Sequence, residues 1–300
     1  MVFVNMLPGA VAEGLIWGLM AIGVYISYKV LDIADLTVDG SICTGGCVCA
    51  VMIGLGCPVV VAVLAGFLAG VLCGVLTGLL HTALGIPSIL AGILTQLMLY
   101  SINLTILGGK SLMTIDPRLN QLLVNMSDNP KAIVVMVVIV ALVITALYLF
   151  FYTEFGLTLK STGDNPDMSR AQGVNVELNK VIGLAIANGI VALAGALLAQ
   201  YKGSANINDG RGAIVIGLAA IFIGLSVSQK IKSNFVVSLI GCACGGVMYY
   251  IVYNVVILMG LKTDFLKMLS AIIVAIFLSV PYVKATYFTK RKNIGGGKHA

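Results

Sequence analysis

"GSICTGGCVCAVMIGLGCPVVVAVLAGFLAGVLCGVLTGLLHTALGIPSILAGILTQLMLYSINLTILGG" runs from Gly40 to Gly109 without one Asp, Glu, Lys or Arg. No core element of a water-soluble protein is that long, and a bilayer crossing needs only about 20 apolar residues. The run therefore reads as several crossings joined by very short turns. Composition agrees: 59% of the 300 residues are hydrophobic and 10% are charged, against about a quarter charged in soluble domains. A transmembrane β-barrel alternates apolar and polar positions over roughly ten-residue segments, and that pattern is absent. The expected fold class is all-α, a polytopic membrane protein with residues 1–300 forming one transmembrane domain.

Outward from that stretch, uncharged or nearly uncharged segments give about nine transmembrane helices, at 9–30, 42–57, 58–80, 85–107, 132–152, 179–201, 213–229, 234–258 and 264–284. The second is short and glycine-rich, so it reads as a partial or broken crossing as readily as a full one. Beyond Val283 the tail carries Lys284, Lys290, Arg291, Lys292 and Lys298, five of the 18 basic residues. Basic loops stay in the cytoplasm, so the C-terminus (285–300) is expected there. Counting back puts Lys230, Lys232 and the loop at 153–178 on the same side, with 108–131 and 202–212 outside. The net charge of +6 follows from this topology and from anionic lipid; it gives no reason to invoke nucleic acid. Met1–Ala12 has no positive charge, and Glu13 falls where a signal peptide would be apolar. That end reads as the approach to a retained span.

Two internal patterns refine the picture. Gly66, Gly70, Gly74 and Gly78 recur at four-residue spacing, which strips one helix face of side chains and lets a neighbouring helix approach. Packing within the subunit and a seam between subunits both fit. "AVMIGLG" (Ala50–Gly56) also matches "AIFIGLS" (Ala220–Ser226) at an offset of 170, which brings Asp39-Gly40 onto Asp209-Gly210. An odd number of expected crossings separates the copies. They would thus have opposite orientation, an inverted-repeat transporter core.

Few residues carry chemistry. The seven cysteines lie in apolar stretches; Cys43 and Cys47 are one helical turn apart without His or acidic company, so they read as small buried thiols and no metal site is expected. "LGGKS" (Leu107–Ser111) resembles the end of a phosphate-binding loop, but Leu104 stands where that loop needs glycine. The only histidines are His81 and His299. No nucleotide site and no catalytic constellation is expected. Gln96, Tyr100 and Asn103 form one helical stripe, and polar groups in lipid must face protein or a water-filled path. Pro87 is expected to free a backbone carbonyl nearby. Asp39 and Asp209 are costly at membrane depth, and at the surface they are ordinary caps and turn formers.

"KSTGDNPDMSRAQGVN" (Lys160–Asn175) lies between two uncharged spans. Asp164 or Asn165 is a good N-cap and Pro166 suits the first turn. Asp167 and Arg170 complement the two dipole ends, and Gly173 stops the helix. This predicts a helix of about 10 Å with defined ends and no chemistry, a stiff docking knob.

The stretch "GLTLKSTGDNPDMSRAQGVN" followed by "GLAIANGIVALAGALLAQ" resembles the cytoplasmic coupling region of permease subunits of ATP-binding-cassette (ABC) importers, of the branched-chain amino acid and ribose type. "DIADLTVDGS" (Asp32–Ser41) is similar to that family's Asp-Leu-Ser/Thr-Val-Gly signature with an Asp inserted before the glycine. "IPSILAGILTQLMLYSINLTILG" resembles a subgroup associated with aromatic amino acids or other small organic solutes. The resemblance covers nearly the whole chain. It implies a multi-pass protein of the bacterial cell (inner) membrane that is not itself an enzyme. Two permease copies, by default a homodimer, would form the pore. A separate ABC ATPase would bind the ATP, so this chain would need no cofactor, and an extracytoplasmic binding protein would deliver solute. Gly163, Asp164, Asn165, Pro166, Arg170, Ala171 and Gly173 would shape the ATPase contact. Asp39, Gln96, Tyr100, Asn103 and Asp209 would line the translocation path. The family's longer members carry an additional N-terminal span, for which no counterpart is seen. The rival readings are a secondary transporter or channel without an ATPase, which would need carboxylates inside its spans, and a membrane scaffold.

Overall fold

The computed structural model describes residues 2–116, 122–126, 128–228 and 234–258, with isolated helical positions at 268, 271, 272, 275 and 279. In chain order the elements are α1 (Val2–Tyr25, continued by a π-helical turn Ile26–Val30), α2 (Val38–Gly54), α3 (Val59–Thr82), α4 (Ser88–Ile106) and β1 (Leu112–Thr114). There follow α5 (Asn129–Phe151), α6 (Glu154–Asp164), α7 (Pro166–Ala171), α8 (Val176–Lys202), β2 (Ser204–Asn206), α9 (Ala213–Ser228) and α10 (Phe235–Leu258). Among the described residues, six helices are long and apolar enough to cross a membrane, and α2 and α9 are shorter apolar helices. The expected segment at 264–284 and the basic tail fall outside the described residues, apart from the isolated positions.

α1 and α8 occupy the centre. They run antiparallel: Tyr201 donates to the Gly9 carbonyl at 3.4 Å, Gly23 abuts Ala187 and Val191, and Gly183 abuts Leu31. Ile16, Leu19, Met20 and Ile22 of α1 and Leu184 and Leu197 of α8 are fully buried. An offset of 170 carries α1 onto α8, α2 onto α9 and α3 onto α10. The packing follows the same exchange: α3 lies on α8 as α10 lies on α1, and α2 contacts α3 as α9 contacts α10. The antiparallel crossing of equivalent helices is the arrangement an inverted repeat requires.

Between helices in lipid, close packing replaces the hydrophobic effect as the source of affinity. The four-residue glycine stripe shows how. A Cβ on Gly70 would lie 2.5 Å from the Asn188 carbonyl oxygen, and one on Gly78 would lie 2.8 Å from Val181 Cα. Gly74 lies against the Leu184 carbonyl and Gly66 against that of Gly45. The stripe therefore seats α3 on α8 and α2 within the same chain. Conversely, α4 and α5 expose Leu94, Leu97, Val134 and Leu142, as apolar surfaces facing hydrocarbon do.

β1 and β2 pair antiparallel, Met113 opposite Ala205, so the loops after α4 and α8 meet at one end of the bundle. α6 and α7 lie at the other end, between α5 and α8. Two local expectations need correction. Pro87 is the N-cap of α4 and stands outside its hydrogen-bond ladder, so it breaks no helix there; its own carbonyl accepts from Ala91 N at 2.9 Å. The polar loop at 153–178 contains two helices, not one. Thr153 caps the additional helix, accepting from Gly156 N at 3.2 Å.

Candidate functional site: paired half-helices and a capped knob

α8 has 27 residues, about 40 Å at 1.5 Å per residue, and Asn188 sits near its middle. Ser41, in the first turn of α2, donates to Asn188 Oδ1 at 2.6 Å. α2 therefore starts at mid-depth and climbs to the ribbon end, where Gln200 near the end of α8 reaches Cys49 Sγ at 3.5 Å. It is a half-helix. Residues 31–37 descend to its start, and Asp32 adopts φ +55°, a left-handed conformation that Asp tolerates better than most residues. The Asp35 side chain is 3% exposed; Oδ1 accepts from Thr37 N at 2.9 Å and Oδ2 from Asn188 Nδ2 at 2.6 Å. Thr37 and Thr77 share a 2.7 Å hydroxyl bond to α3. Buried polar atoms in hydrocarbon must find such partners.

α9 starts against α2. Asp39 Oδ2 accepts from Gly212 N and Oδ1 from Ile214 N, both at 2.9 Å. One carboxylate thus lies in the first turn of α2 and caps α9. Two positive dipole ends converge on it, which stabilises its charge. Gly210 fits because it lacks a side chain: a Cβ would strike the Asp39 carbonyl and Cys43. Its N–H donates to Cys43 Sγ at 3.0 Å, and Cys43 Sγ donates to the Ile207 carbonyl at 3.3 Å. The alternatives for Asp39, cap or membrane-depth charge, are thus both realised. Asp209 lies further toward the ribbon end, paired with Lys202 at 3.5 Å.

Beside this junction is a cavity of about 380 Å³, lined by Asp39, Gly40, Cys43, Gln96, Leu97, Tyr100, Asn103, Ile207 and Arg211. The α4 stripe and Asp39 come together here. Asp209 is not in this lining and borders a second cavity, of about 360 Å³. Asn103 is 1% exposed, and among the described residues its Oδ1 has no hydrogen-bond partner. A buried acceptor left this way costs about 1–3 kcal/mol. Among the described residues, no group of His, Cys, Asp or Glu is arranged to hold a metal ion.

At the opposite end from the ribbon, α7 is capped by Asn165, whose Oδ1 accepts from Met168 N at 3.0 Å. Pro166 is its first residue, and Gly173 follows its end with φ +83°. Arg170 pairs with Glu177 of α8 at 2.7 Å and with Asp167 at 3.6 Å. Asn175 caps α8, and Asn179 of α8 donates to Thr162 of α6 at 3.0 Å. Gly163 packs directly on the Val30 carbonyl and Leu31. The knob is thereby fixed to the base of α8 and to the end of α1. Asp164, Asn165, Pro166, Met168, Arg170 and Ala171 are exposed on its outer face.

Sequence reasoning missed Asp35, Asn188, Arg211 and Met168. Asn188 was discoverable as a lone amide in an uncharged span, and Asp35 as the first acid of the signature quoted above. Arg211 carried no signal, because its place depends on a loop folding back to mid-depth.

A model of the family described as branched-chain amino acid transport system / permease component matches residues 6–280. The tyrosine transport system permease protein of Clostridioides difficile is 35% identical over 267 residues, 89% of this chain and 88% of that protein. The autoinducer 2 import system permease protein LsrC of Salmonella typhimurium is 28% identical over 191 residues, 62% of this chain and 54% of that one. The nucleoside ABC transporter permease protein NupC of Lactococcus lactis is 33% identical over 86 residues, 28% of this chain and 27% of that one. No solved structure matches.

Proposed function

The chain belongs to the permease-component family of branched-chain amino acid transport systems, and from that premise we propose that it is the pore subunit of an ABC importer. It carries a small organic solute, an amino acid or similar molecule, across the bacterial cell (inner) membrane. A separate ATPase docks on α6–α7 and binds the ATP, a binding protein delivers solute at the ribbon end, and a second copy completes the pore. The C-terminus lies in the cytoplasm with the knob. The chain itself performs no chemical conversion.

The observation that carries this reading is the knob. A helix of six residues is capped at both ends, locked to α8 by Arg170–Glu177 and to α1 by Gly163, and exposed on its outer face. Such an element transmits a push without deforming. The route inward is short: Gly163 bears on the end of α1, residues 31–37 continue to Asp35, and Asp35 and Asn188 hold the start of α2 beside the cavity. Alternating access by rigid movement around a central site needs such coupling.

The amino acid assignment is supported by the description of the family and by the name of the tyrosine permease relative. A carboxylate-coupled secondary transporter fits less well. The mid-depth carboxylates Asp35 and Asp39 each have both oxygens held by N–H donors of neighbouring elements, which supports a structural role for them.

The test is Asp164→Lys combined with Arg170→Glu. ATP-driven uptake should vanish while the protein still inserts. Unchanged uptake in that variant, or uptake by wild type in ATP-depleted vesicles, rejects the docking reading.

A further inference from the structure

α1 does not end as a plain α-helix. Its continuation, Ile26–Val30, is a π-helical turn, closed by Leu31 N donating to the Ile26 carbonyl at 3.0 Å. Such a turn holds one residue more than α geometry needs, is uncommon, and often marks a functional position. The chain that follows folds back onto it: Asp32 stands at φ +55°, and Ile33 N donates to the Ser27 carbonyl at 2.9 Å. Ser27 is buried and gives its hydroxyl proton to the Val24 carbonyl at 3.1 Å.

Three elements meet at this turn. From the knob, Gly163 lies directly on the Val30 carbonyl, with no room for a Cβ. Toward α2, residues 31–37 lead to Asp35, which accepts from Thr37 N and from Asn188 Nδ2. Toward α9, the Tyr28 ring meets Phe222 edge-on, with centroids 6.2 Å apart. Gly217 of α9 abuts Met20 and Val24, so α9 runs along the second half of α1 down to the turn. The two arms rejoin at Asp39, which lies in the first turn of α2, caps α9 and lines the central cavity.

We propose that the π-helical turn is a one-residue switch through which the knob moves both half-helices together, with Tyr28 as the positioning residue for α9. Coupling between distant sites needs an element with two discrete arrangements, and π against α geometry is such a choice. A push of Gly163 on the Val30 carbonyl relaxes the turn to α. One residue then passes into the segment 31–37, a step of about 1.5 Å along the axis and about 100° around it. Close-packed interiors pass such a step on instead of absorbing it. The segment carries it to α2, and Tyr28 carries it through Phe222 to α9. Moving one half-helix alone would pull the Asp39 hydrogen bonds apart, so the two arms act as one and the wall of the central cavity moves with them. The inference rests on α6–α7 being the docked element and adds how its movement reaches the cavity.

The test reads cavity and docking separately, on the complex with the copurified ATPase in lipid nanodiscs. With the seven native cysteines replaced by alanine, Tyr100→Cys places one thiol on the central cavity. Its rate of reaction with a small thiol reagent is compared without nucleotide and with ATP and vanadate. The two rates should differ in this parent. Deleting Lys29, an exposed residue of the turn, removes the additional residue and should abolish the difference. Tyr28→Ala should remove most of it, and Tyr28→Phe, which keeps the ring, should retain it. Tyr148→Ala, at an exposed ring of α5 that contacts Tyr152, should leave it unchanged. With Met168→Cys in place of Tyr100→Cys, every variant should still crosslink to the ATPase, since the knob is untouched. Equal rates in the parent, a full difference in the Lys29 deletion or in Tyr28→Ala, or the same loss in Tyr148→Ala overturns the proposal. Should the deletion fail to insert, Tyr28→Ala and Tyr28→Phe decide it. A parent that gives no Met168→Cys crosslink rejects the docking reading, and this inference falls with it; an intact crosslink with an undiminished difference in the variants rejects the switch alone.

Discussion

Replacing Asp39 with alanine removes the one side chain that joins the two half-helices. Asp39 accepts from Gly212 N and Ile214 N at 2.9 Å each. Hydrogen bonds to a charged group contribute about 1.5–3 kcal/mol each, so the pair is worth about 3–6 kcal/mol. Removing a desolvated carboxylate recovers part of that, leaving a net loss of about 2–4 kcal/mol. Asp39→Asn retains one acceptor oxygen and turns an amide group toward the other N–H, so its loss should be smaller by about half. Two measurements check this ladder. Detergent-induced unfolding in mixed micelles should rank wild type above Asn above Ala. Hydrogen exchange at the Ile214 amide should speed up in the alanine variant by roughly thirty- to several-hundredfold, since each 1.4 kcal/mol is about tenfold. If Ile214 exchanges at the wild-type rate, or Asn and Ala are equally destabilised, Asp39 does not cap α9 and the paired half-helix junction is wrong.

Other consequences can be measured separately. Gly74→Val should force α3 off the Leu184 carbonyl and destabilise the fold by about 2 kcal/mol or more, whereas Leu72→Val, at an exposed position of α3, should change it by less than about 0.5 kcal/mol; the same unfolding titration checks both. Asn165→Ala removes the cap on Met168 N. It should cost the knob about 1 kcal/mol and lower ATP-driven uptake, with less ATPase recovered on purification. Asn103→Leu should replace the unpartnered acceptor on the central cavity with an apolar branch, so uptake should fall about tenfold or more while insertion is unchanged.

What could be read from the sequence follows a physical division. Local chemistry was legible: Asn165, Pro166 and Gly173 announce the ends of α7 because capping and φ preferences act within a few residues. Hydrocarbon-length runs such as Asn129–Phe151 and Val176–Lys202 were legible because lipid imposes a minimum length. The 170-residue offset was legible through a short match, and it corresponds to the antiparallel pairing of α1 with α8. The depth of Asp39 was not legible, because its partners Gly212 and Ile214 lie more than 170 residues away. α6 escaped notice because Glu154–Asp164 mixes Lys160, Ser161 and Thr162 with few apolar residues; its stability comes from the Thr153 cap and from packing on α8. Asp35 was overlooked beside Asp32: its place at the head of the signature was the one sequence signal that set the buried acid apart from the exposed one.

The central claim is that a separate engine grips the outer face of α7 from the cytoplasm. With the seven native cysteines replaced by alanine, a single Met168→Cys, at a side chain 60% exposed, can be probed in intact cells and in the purified complex. The account predicts that an impermeant thiol reagent outside the cell leaves this cysteine unlabelled, and that a short bifunctional crosslinker joins it to the copurified ATPase. Labelling from outside, with no crosslink to any ATPase with or without ATP, would contradict it.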